Sequence, residues 1–515
     1  MLITAKLRYA VMVMVHLAGN TSIPTKLSNI SDFQSVPERY SEHVISALRK
    51  SGLVSAARGP GGGYYLNCSP KSVKISDILE AIGEEIRITR CDNNGIGCLK
   101  DQTQCKTHTL WDNLGNYIKG YFNKISLNDV LNEDFNISNN SSLDSNYVYA
   151  DYNSTASIGN SVKENTSYIL SYKTLNPSSV HQAGQRVCKI LQDARDDICS
   201  FTCASDNKEI LFTSSATEAN NLAMKGMKEY VQVISAVEHP SIMRSVSNPY
   251  IISVDCDGMI NLTELEKILC KLQGKKILVS VMMANNEIGV IQPIKEIAQI
   301  SHKFGAICHT DAAQACGKID VNMEDLGVDL LTLSAHKMGG LTGAGALIFD
   351  KNLQIEPIIT GGGQEKGLRA GTENVIAIAS FSSAVKQIPE LLGKANRIEE
   401  LRDQLESEIL KIADNAIIFG KNVDRLPNTS CICMPGVKSD VQLMIFDTNN
   451  IAISSGAACS SGRIEPSYVL LAMGATKEQA ECSIRISIGW NTTGDDIEKI
   501  INCWYNIYKN NIKLV

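Results

Sequence analysis

The residue with the clearest chemical potential is a lysine at the end of an apolar strand. In the segment LLTLSAHKMGG, Ser334 and His336 precede Lys337, and a pair of glycines follows it. An amine that is partly withdrawn from water loses its charge more readily and becomes a nucleophile near neutral pH. With hydroxyl and imidazole groups nearby to hold a phosphate, the segment suits a Schiff base with pyridoxal phosphate. The alternative is an ordinary solvated lysine at a strand end.

A carboxylate upstream favours the first interpretation. Asp311 ends another apolar strand, in AICHTDAAQ. A carboxylate there can pair with the protonated pyridine nitrogen of the cofactor and keep the ring an electron sink. Asp followed by Lys on successive strands is the order expected in a pyridoxal phosphate enzyme with the aspartate-aminotransferase fold.

Five further residues have the types and positions that such a site requires. Ala216 and Thr217, in FTSSATEANN, occupy a strand-to-helix turn whose backbone N–H groups and hydroxyl can hold a phosphate. His239 follows a strand, where its imidazole can stack on the ring and act as a general acid or base, although a lone histidine is more often structural. Asn286 and Gln314 are candidates to hydrogen-bond the phenolic oxygen of the cofactor.

Two residues near the C-terminus complete this constellation. Cys459 lies in AISSGAACSSGRIEPSYVL, whose small residues predict a mobile loop that lets a thiol reach a buried substrate and then solvent. It is the best candidate nucleophile among the 16 cysteines. Arg485 lies inside the apolar strand SIRISIG, where a buried guanidinium needs a bidentate partner such as a substrate α-carboxylate.

A second chemical pattern lies in CDNNGIGCLKDQTQCKTH. Cys91, Cys98, Cys105 and His108 supply three thiolates and an imidazole, which suffice for a four-coordinate metal or iron–sulfur site. The spacing differs from that of the usual paired zinc knuckle. On the residues alone, an iron–sulfur cluster, a zinc ion and unliganded cysteines all remain open.

The segment before this loop predicts a winged helix-turn-helix. Helical patterns cover residues 4–18 and Glu38–Leu53, a short polar helix lies around Lys26–Asp32, and the glycine-rich RGPGGGYYL follows as a wing. Residues 1–70 hold seven Lys and Arg against three Asp and Glu, a net charge of +4. This basic segment is compatible with DNA binding and also with an ordinary basic surface.

The DNA contacts expected of this module follow from its predicted geometry. The first turn of the second long helix offers Arg39, Tyr40 and Ser41 to base edges, and Arg58 at the wing can enter a minor groove. Beyond the cysteine loop, an apolar helical stripe predicts a dimer helix, because so small a domain could hardly bury it alone. The stripe consists of Leu110, Trp111, Leu114, Ile118, Tyr121, Phe122 and Ile125.

The elements that position these residues divide the chain into three segments. We predict a mainly helical DNA-binding domain over 1–131, a linker rich in Asn and Ser over 132–147 and a domain over 148–515. In the last, strands alternate with helices as in a mostly parallel sheet covered on both faces. Its large part is expected at about 165–400 and a smaller C-terminal part at about 401–515.

Composition excludes several classes of protein. The 515 residues, with 44% hydrophobic and 20% charged residues, are typical of a globular chain and exclude disorder throughout. The net charge of −6 excludes a polycation. No uninterrupted apolar run of about 18 residues is present, which argues against an integral membrane protein. The spread of the cysteines through a long chain, without a cleavage-site pattern at the start, predicts a reducing cytoplasm.

The N-terminal motifs resemble a known family of regulators. The segment is similar to Rrf2-family regulators of the IscR type in three motifs: ITAKLRYAV, LRKSGLVSAARGPGGGYYL, and the spaced TRC, C, C and THTLW. This resemblance implies a [2Fe–2S] cluster on Cys91, Cys98, Cys105 and His108 that tunes binding to double-stranded DNA. The turn VPERYSEH departs from better-known members, so an operator sequence cannot be carried over.

The rest of the chain resembles cysteine desulfurases of the NifS/IscS type. The motifs YADYN, NPSSVHQAGQ, FTSSATEANN, NNEIG, HTDAAQ, SAHK, GGGQEKGLRAGT, SSGAACSSG and SIRISIGWNTT carry the resemblance. It implies a homodimer in which Thr372 of the neighbouring subunit contacts the cofactor phosphate. Ser215 stands where relatives commonly have Gly, and Gln364 where many have His.

The resemblance also implies a reaction and a sulfur acceptor. L-Cysteine becomes L-alanine while Lys337 and His239 move protons, Arg485 holds the carboxylate and Cys459 takes the sulfur as a persulfide for an iron–sulfur scaffold or thiolation acceptor. As a hypothesis, the fusion provides feedback between cluster sensing and sulfur supply. Two alternatives stay open: a regulator with a non-catalytic desulfurase-like scaffold, and another pyridoxal phosphate enzyme such as a selenocysteine lyase or an aminotransferase.

Overall fold

The computed structural model describes residues 5–19, 24–34, 36–59, 61–84, 115, 118–132, 147–455 and 465–512. The chain forms two compact units, 1–145 and 146–515. The described part of each unit is built around its own buried apolar cores.

The first unit is a winged helix. Helices α1 to α3 surround an apolar core, and the antiparallel strands β1 and β2 form the wing after α3. Buried positions in α1 recur at helical spacing, which explains why this face turns inward. The elements are α1 Ala5–Gly19, α2 Leu27–Gln34, α3 Glu38–Lys50, β1 Val54–Ala57, β2 Gly63–Leu66, α4 Ile75–Ala81, α5 118–124 and α6 Leu127–Leu131.

Part of the predicted dimer stripe is used inside this unit. Ile125 is 5% exposed within the core, and Phe122 packs against the same core. Tyr121 remains 40% exposed. Leu110, Trp111 and Leu114 lie outside the described residues. The small domain therefore buries Ile125 and partly buries Phe122 by itself, and the dimer helix stays a prediction.

The second unit contains a seven-stranded sheet in the order β4-β10-β9-β8-β7-β5-β6. Strands β5 to β9 are parallel, and only β10 runs antiparallel to its two neighbours, β4 and β9. The predicted mostly parallel sheet is thus confirmed. The strands are β4 Lys208–Thr213, β5 Val231–Ser235, β6 Tyr250–Ile252, β7 Ile277–Ser280, β8 Ile307–Asp311, β9 Leu330–Ser334 and β10 Gly345–Asp350.

Helices cover both faces of this sheet, which explains the nearly continuous apolar strands. Successive residues of β4 point to opposite faces: Ile210 and Phe212 join one core, whereas Leu211 joins the other. The helices are α7 Asn160–Leu170, α8 Gln182–Phe201, α9 Ala216–Lys225, α10 Pro240–Met243, α11 Leu262–Lys271, α12 Ile294–Lys303, α13 Met323–Leu326 and α14 Val375–Leu392.

Helix α14 is long and apolar enough to cross a membrane by length and composition. In the fold it packs against α7 and α8, and 61% of the helix is buried. It is therefore accounted for as a core helix of this unit.

A smaller C-terminal part packs around the fully buried Trp504. Strand β3, at the start of the unit, joins it by pairing in parallel with β13. Strands β11, β12 and β14 form an antiparallel sheet. The elements are β3 Val148–Tyr149, α15 Ala395–Ile412, β11 Ile417–Ile418, β12 Thr429–Cys433, α16 Ser439–Thr448, β13 Ile451–Ala452, α17 Tyr468–Ala472, α18 Lys477–Glu481, β14 Ser483–Ser487 and α19 Gly494–Ile512.

Candidate active site

A cavity of about 230 Å³ lies where the sheet strands of the second unit end. Because parallel strands end at the same edge of a sheet, the residues that follow them converge. Ten residues predicted from the sequence line this cavity: Ala216, Thr217, His239, Asn286, Asp311, Gln314, Ser334, His336, Lys337 and Arg485.

Lys337 lies in a short 3₁₀ helix, Ala335–Met338, directly after β9. Its Nζ donates to the backbone oxygen of Asn153 and, at 2.8 Å, to that of Ser154. Burial and the nearby Arg485 guanidinium lower the pKa of Lys337 to about 8, although Asp151 and Asp311 oppose the shift. About a tenth of this amine is therefore neutral at pH 7, far more than of an ordinary lysine, and the neutral form is the nucleophile.

A chain of hydrogen bonds joins Asp311 to His239. Asn220 Nδ2 donates to Asp311 Oδ2 at 2.7 Å and to Ser241 Oγ at 2.9 Å. Ser241 Oγ lies 2.7 Å from His239 Nδ1. The backbone N–H of Ser241 also donates to Nδ1, so this nitrogen is an acceptor and the neutral ring carries its proton on Nε2. Burial lowers the pKa of His239, which favours the neutral ring.

The N-terminus of helix α9 forms one wall of the cavity. Its N-cap, Ser215, accepts from the backbone N–H of Glu218, while Ala216 and Thr217 begin the first turn. A helix N-terminus attracts anions through its free N–H groups and its dipole. Strand β10 comes so close that a Cβ on Gly345 would lie 2.4 Å from the backbone carbon of Ser215, so glycine is required there.

Arg485 also lines the cavity and is 4% exposed. Its Nη2 donates to Asp151 Oδ1 at 2.7 Å and to Ser154 Oγ at 3.1 Å. Its Nη1 donates to the backbone oxygen of Asn286 at 2.9 Å, and Nε has no hydrogen-bond partner among the described residues. The guanidinium is therefore held firmly and retains donor capacity for an anionic group.

The cavity holds buried polar atoms without a partner in the described part of the chain. They are Asn220 Oδ1, Asn286 Oδ1, His336 Nδ1 and Arg485 Nε. Unsatisfied buried polar atoms are costly, and they concentrate here around a space of ligand size. Together with the amine of Lys337, the carboxylate of Asp311 and the N-terminus of α9, they fit a phosphorylated, pyridine-containing aldehyde such as pyridoxal phosphate.

Sequence reasoning missed several residues of the site. Asn153 and Ser154 line the cavity from the loop after β3, and Asn220 and Ser241 connect its charged groups. The adjacent asparagines in TEANN were the signal for Asn220, because a buried asparagine on an apolar helix face needs partners. The loop after β3 offered no local signal, since only the folded chain brings it to the strand ends.

Several other predicted residues lie elsewhere. Thr372 is exposed and does not line the cavity of its own chain. Gln364 lies in the same loop region and accepts the backbone N–H of Gly371 at 3.2 Å. Cys459, Cys91, Cys98, Cys105 and His108 lie outside the described residues.

In the first unit, the predicted DNA contacts divide into two groups. Arg39 and Arg58 are exposed, and Tyr40 is 50% exposed and packs edge-on against Tyr9. Ser41, in contrast, is fully buried, and its hydroxyl lies 2.9 Å from that of Ser31. The expected contact of Ser41 with base edges is corrected, because helix α3 turns this side chain toward α2.

Known proteins match both units. Residues 148–500 match the family model described as aminotransferase class-V, and residues 3–133 match Rrf2, described as an iron-dependent transcriptional regulator. A cysteine desulfurase IscS of Dictyoglomus turgidum is 37% identical over 364 residues, covering 68% of this chain and 91% of its own. A cysteine desulfurase NifS of Azotobacter vinelandii is 34% identical over 367 residues, covering 69% and 90%.

A solved structure agrees with these matches. The crystal structure of a NifS-like protein from Rickettsia africae superposes with a TM-score of 0.65 at 40% identity, covering 70% of this chain and 99% of its own. The covered share is close to that of the unit 146–515, which contains the Lys337 cavity. The chain thus belongs to the class-V aminotransferase family, among relatives of the IscS and NifS cysteine desulfurases, and carries an Rrf2 regulator domain at its N-terminus.

Proposed function

We propose that the second unit is a pyridoxal phosphate-dependent cysteine desulfurase that converts L-cysteine to L-alanine and carries the sulfur as a persulfide on Cys459. The observation that carries the proposal is the convergence of the Lys337 amine, the Asp311 carboxylate and the Arg485 guanidinium on one cavity. The relatives' printed names support the substrate.

Each wall of the cavity has a task in this proposal. Lys337 holds the cofactor covalently, Asp311 accepts the pyridine N–H, and the first turn of α9 holds the phosphate. Arg485 binds the α-carboxylate of cysteine. When bound, pyridoxal phosphate supplies an electron sink for negative charge at the α-carbon.

The chain's own residues then move the protons and the sulfur. The Lys337 amine, freed when the amino group of cysteine takes its place, removes the α-proton, and His239 manages the proton of the substrate thiol through Nε2. The Cys459 thiolate attacks the substrate sulfur, so an S–S bond forms as the C–S bond breaks. The electron pair of the broken bond remains with the carbon, which gains protons and leaves as alanine. The balance is one cysteine and one thiol to one alanine and one persulfide.

Loading of the cofactor should depend on pH in a defined direction. Only the neutral amine of Lys337 reacts with an aldehyde, and its pKa is lowered to about 8. Below that pH, the rate of covalent loading should rise about tenfold per pH unit and level off above it. Stopped-flow absorbance of cofactor-free protein mixed with pyridoxal phosphate measures this. A rate that still climbs through pH 10 would indicate an unshifted amine.

Replacing Arg485 with lysine should weaken cysteine binding. The planar guanidinium of Arg485 donates to Asp151 and to Asn286 and still faces the cavity. A lysine ammonium cannot reproduce this geometry. We expect kcat/KM for cysteine to fall about 100-fold, mostly through KM. Arg425→Lys is the matched control, because Arg425 is equally buried but pairs with Glu406. If both variants raise KM alike, the effect is structural.

The activity itself is tested by product analysis. Purified full-length protein with pyridoxal phosphate, L-cysteine and dithiothreitol should release alanine and sulfide in equal amounts. With a 2-oxo acid added as amino-group acceptor, formation of the keto acid of cysteine in place of alanine would indicate an aminotransferase, and turnover of L-selenocysteine alone would indicate a selenocysteine lyase. No turnover of any of these amino acids would leave the second unit as a scaffold.

For the first unit, we propose a DNA-binding regulator that holds a [2Fe–2S] cluster on Cys91, Cys98, Cys105 and His108. The Rrf2 match and the supply of three thiolates and one imidazole support it. For the whole chain, we propose a cytoplasmic homodimer in which Thr372 of each subunit completes the site of the other. We also propose that it delivers sulfur to an iron–sulfur scaffold or thiolation acceptor. The fusion would then couple cluster sensing to sulfur supply. The twelve cysteines in the described part of the chain are all free thiols, which supports a reducing compartment.

The proposed DNA interface predicts that two substitutions differ in their effect on DNA affinity. Arg58→Ala should weaken binding to duplex DNA selected from a random pool and lower the slope of log K against log salt by about 1. Ser41→Ala should leave affinity within about twofold, because Ser41 faces the core. Fluorescence anisotropy at several salt concentrations checks both. Equal losses in the two variants would contradict this arrangement of α3.

A further inference from the structure

A second lysine lies behind the wall of the cavity, and the proposed mechanism does not use it. Lys318 follows β8, and its Nζ donates to Gln314 Oε1 at 2.6 Å and to Asn153 Oδ1 at 2.7 Å. Both acceptors are uncharged amide oxygens. The charged neighbours that lower the pKa of Lys318, in addition to its burial, are Lys337 and Arg485, which are both cations. Burying a lysine beside two cations costs free energy. The presence of Lys318 at this place therefore needs an explanation, and its two hydrogen bonds supply one.

The first hydrogen bond fixes which way the amide of Gln314 points. Lys318 Nζ donates this hydrogen bond, so the end of the amide that faces Lys318 is its oxygen. The NH₂ group then points the other way, and it donates to the backbone oxygen of Asn153 at 2.9 Å. Gln314 is 6% exposed and lines the cavity, so its second N–H is available to an acceptor there.

The second hydrogen bond helps to fix Asn153, whose Oδ1 also accepts from Asn428 Nδ2 at 3.1 Å and whose backbone oxygen contacts the amine of Lys337. The side-chain oxygen of Asn153 accepts from Lys318, and its side-chain nitrogen donates to Thr429 Oγ1 at 2.9 Å. Its backbone oxygen accepts from both Gln314 and Lys337. Asn153 is 1% exposed, so this arrangement has little freedom to change. Lys318 thus holds two groups that meet at Lys337.

We propose that Lys318 is a positioning residue that locks Gln314 and Asn153 so that Gln314 presents an N–H donor to the phenolic oxygen of the bound cofactor. This inference rests on the proposed function, because it needs pyridoxal phosphate in the cavity. The donated N–H favours negative charge on that oxygen. Lys318 does not line the cavity and touches no substrate atom in this proposal.

The test replaces Lys318 with methionine and follows the visible absorption of the bound cofactor against pH. Loss of the donor favours the protonated form of the cofactor's phenolic oxygen, so the pH midpoint of the absorption change should rise by about half a unit or more. Because the substrate carboxylate is held by Arg485, kcat should fall about tenfold while KM for cysteine stays within about twofold.

Three control variants separate positioning from folding. Lys318→Arg keeps the donors and should return the midpoint toward the wild-type value. Lys208→Met removes a lysine whose side chain is 11% exposed and whose nearest ion-pair partner is Asp350, away from the cavity, so it should alter the melting temperature alone. If Lys318 acts through Gln314, adding Lys318→Met to Gln314→Leu should change kcat by less than about twofold further.

The outcomes distinguish this inference from the proposed function. If wild-type protein develops no visible band with pyridoxal phosphate, both fail. If the band forms but Lys318→Met titrates like wild type, or shifts no more than Lys208→Met, the positioning role alone is wrong. Should Lys318→Met not fold, Lys318→Gln takes its place, because its shorter amide cannot reach both acceptors. An unchanged midpoint in that variant would equally contradict the inference.

Discussion

Replacing Lys337 with arginine is expected to lower kcat for alanine formation by about 10³-fold or more. Arginine keeps the positive charge near Asp311 and Asp151 but stays protonated, so it can neither attach an aldehyde nor remove a proton. The present amine, in contrast, has a pKa lowered to about 8. A discontinuous alanine assay at saturating cysteine and cofactor measures the loss.

The control for this substitution is Lys303→Arg. Lys303 lies on helix α12 and pairs with Glu266 at the surface, so its exchange should leave kcat within about twofold. If Lys337→Arg protein, shown by circular dichroism to be folded, still turned over within tenfold of wild type, Lys337 would not be the reacting amine.

Replacing Cys459 with serine should produce a loss of similar size in sulfide release, about 10³-fold. A serine hydroxyl stays protonated at neutral pH and is a poor nucleophile toward sulfur, whereas a thiolate attacks readily. Binding of cysteine should persist, because Arg485 and the other cavity residues are unchanged. Persulfide labelling with a thiol-reactive probe, followed by mass spectrometry, should place the extra sulfur on Cys459 in wild-type protein.

A matched control is Cys270→Ser, which removes a free, exposed thiol from helix α11. This variant should release sulfide at the wild-type rate. Normal sulfide release by Cys459→Ser protein, or an extra sulfur found on another cysteine, would assign the nucleophile to a different thiol.

The strand-end residues of the site could be predicted from the sequence for a physical reason. Asp311 and Ser334 end apolar strands and Lys337 follows one, and parallel strands bring their carboxyl ends together whatever the loops between them do. His239, Asn286 and Arg485 carry side chains that are expensive to place beside apolar strands without a purpose. At these positions the local sequence pattern and the sheet topology both place the residue in the site.

Other features depend on pairings between distant segments that no local pattern reveals. Asn153 reaches the cavity because β3 joins β13 near the far end of the chain. The antiparallel direction of β10 depends on its insertion between β4 and β9. Ser41 was misplaced because a serine in the first turn of a helix can face outward or inward, and only packing of α3 against α2 decides.

The most direct test of the account is to find the covalent bond that it requires. Full-length protein supplemented with pyridoxal phosphate is reduced with borohydride, digested and mapped by mass spectrometry. The account predicts a reduced pyridoxyl group on Lys337, with the visible absorption lost on reduction and no such modification of Lys318. A cavity lysine found unmodified in cofactor-loaded protein, or the modification on another residue, would contradict it.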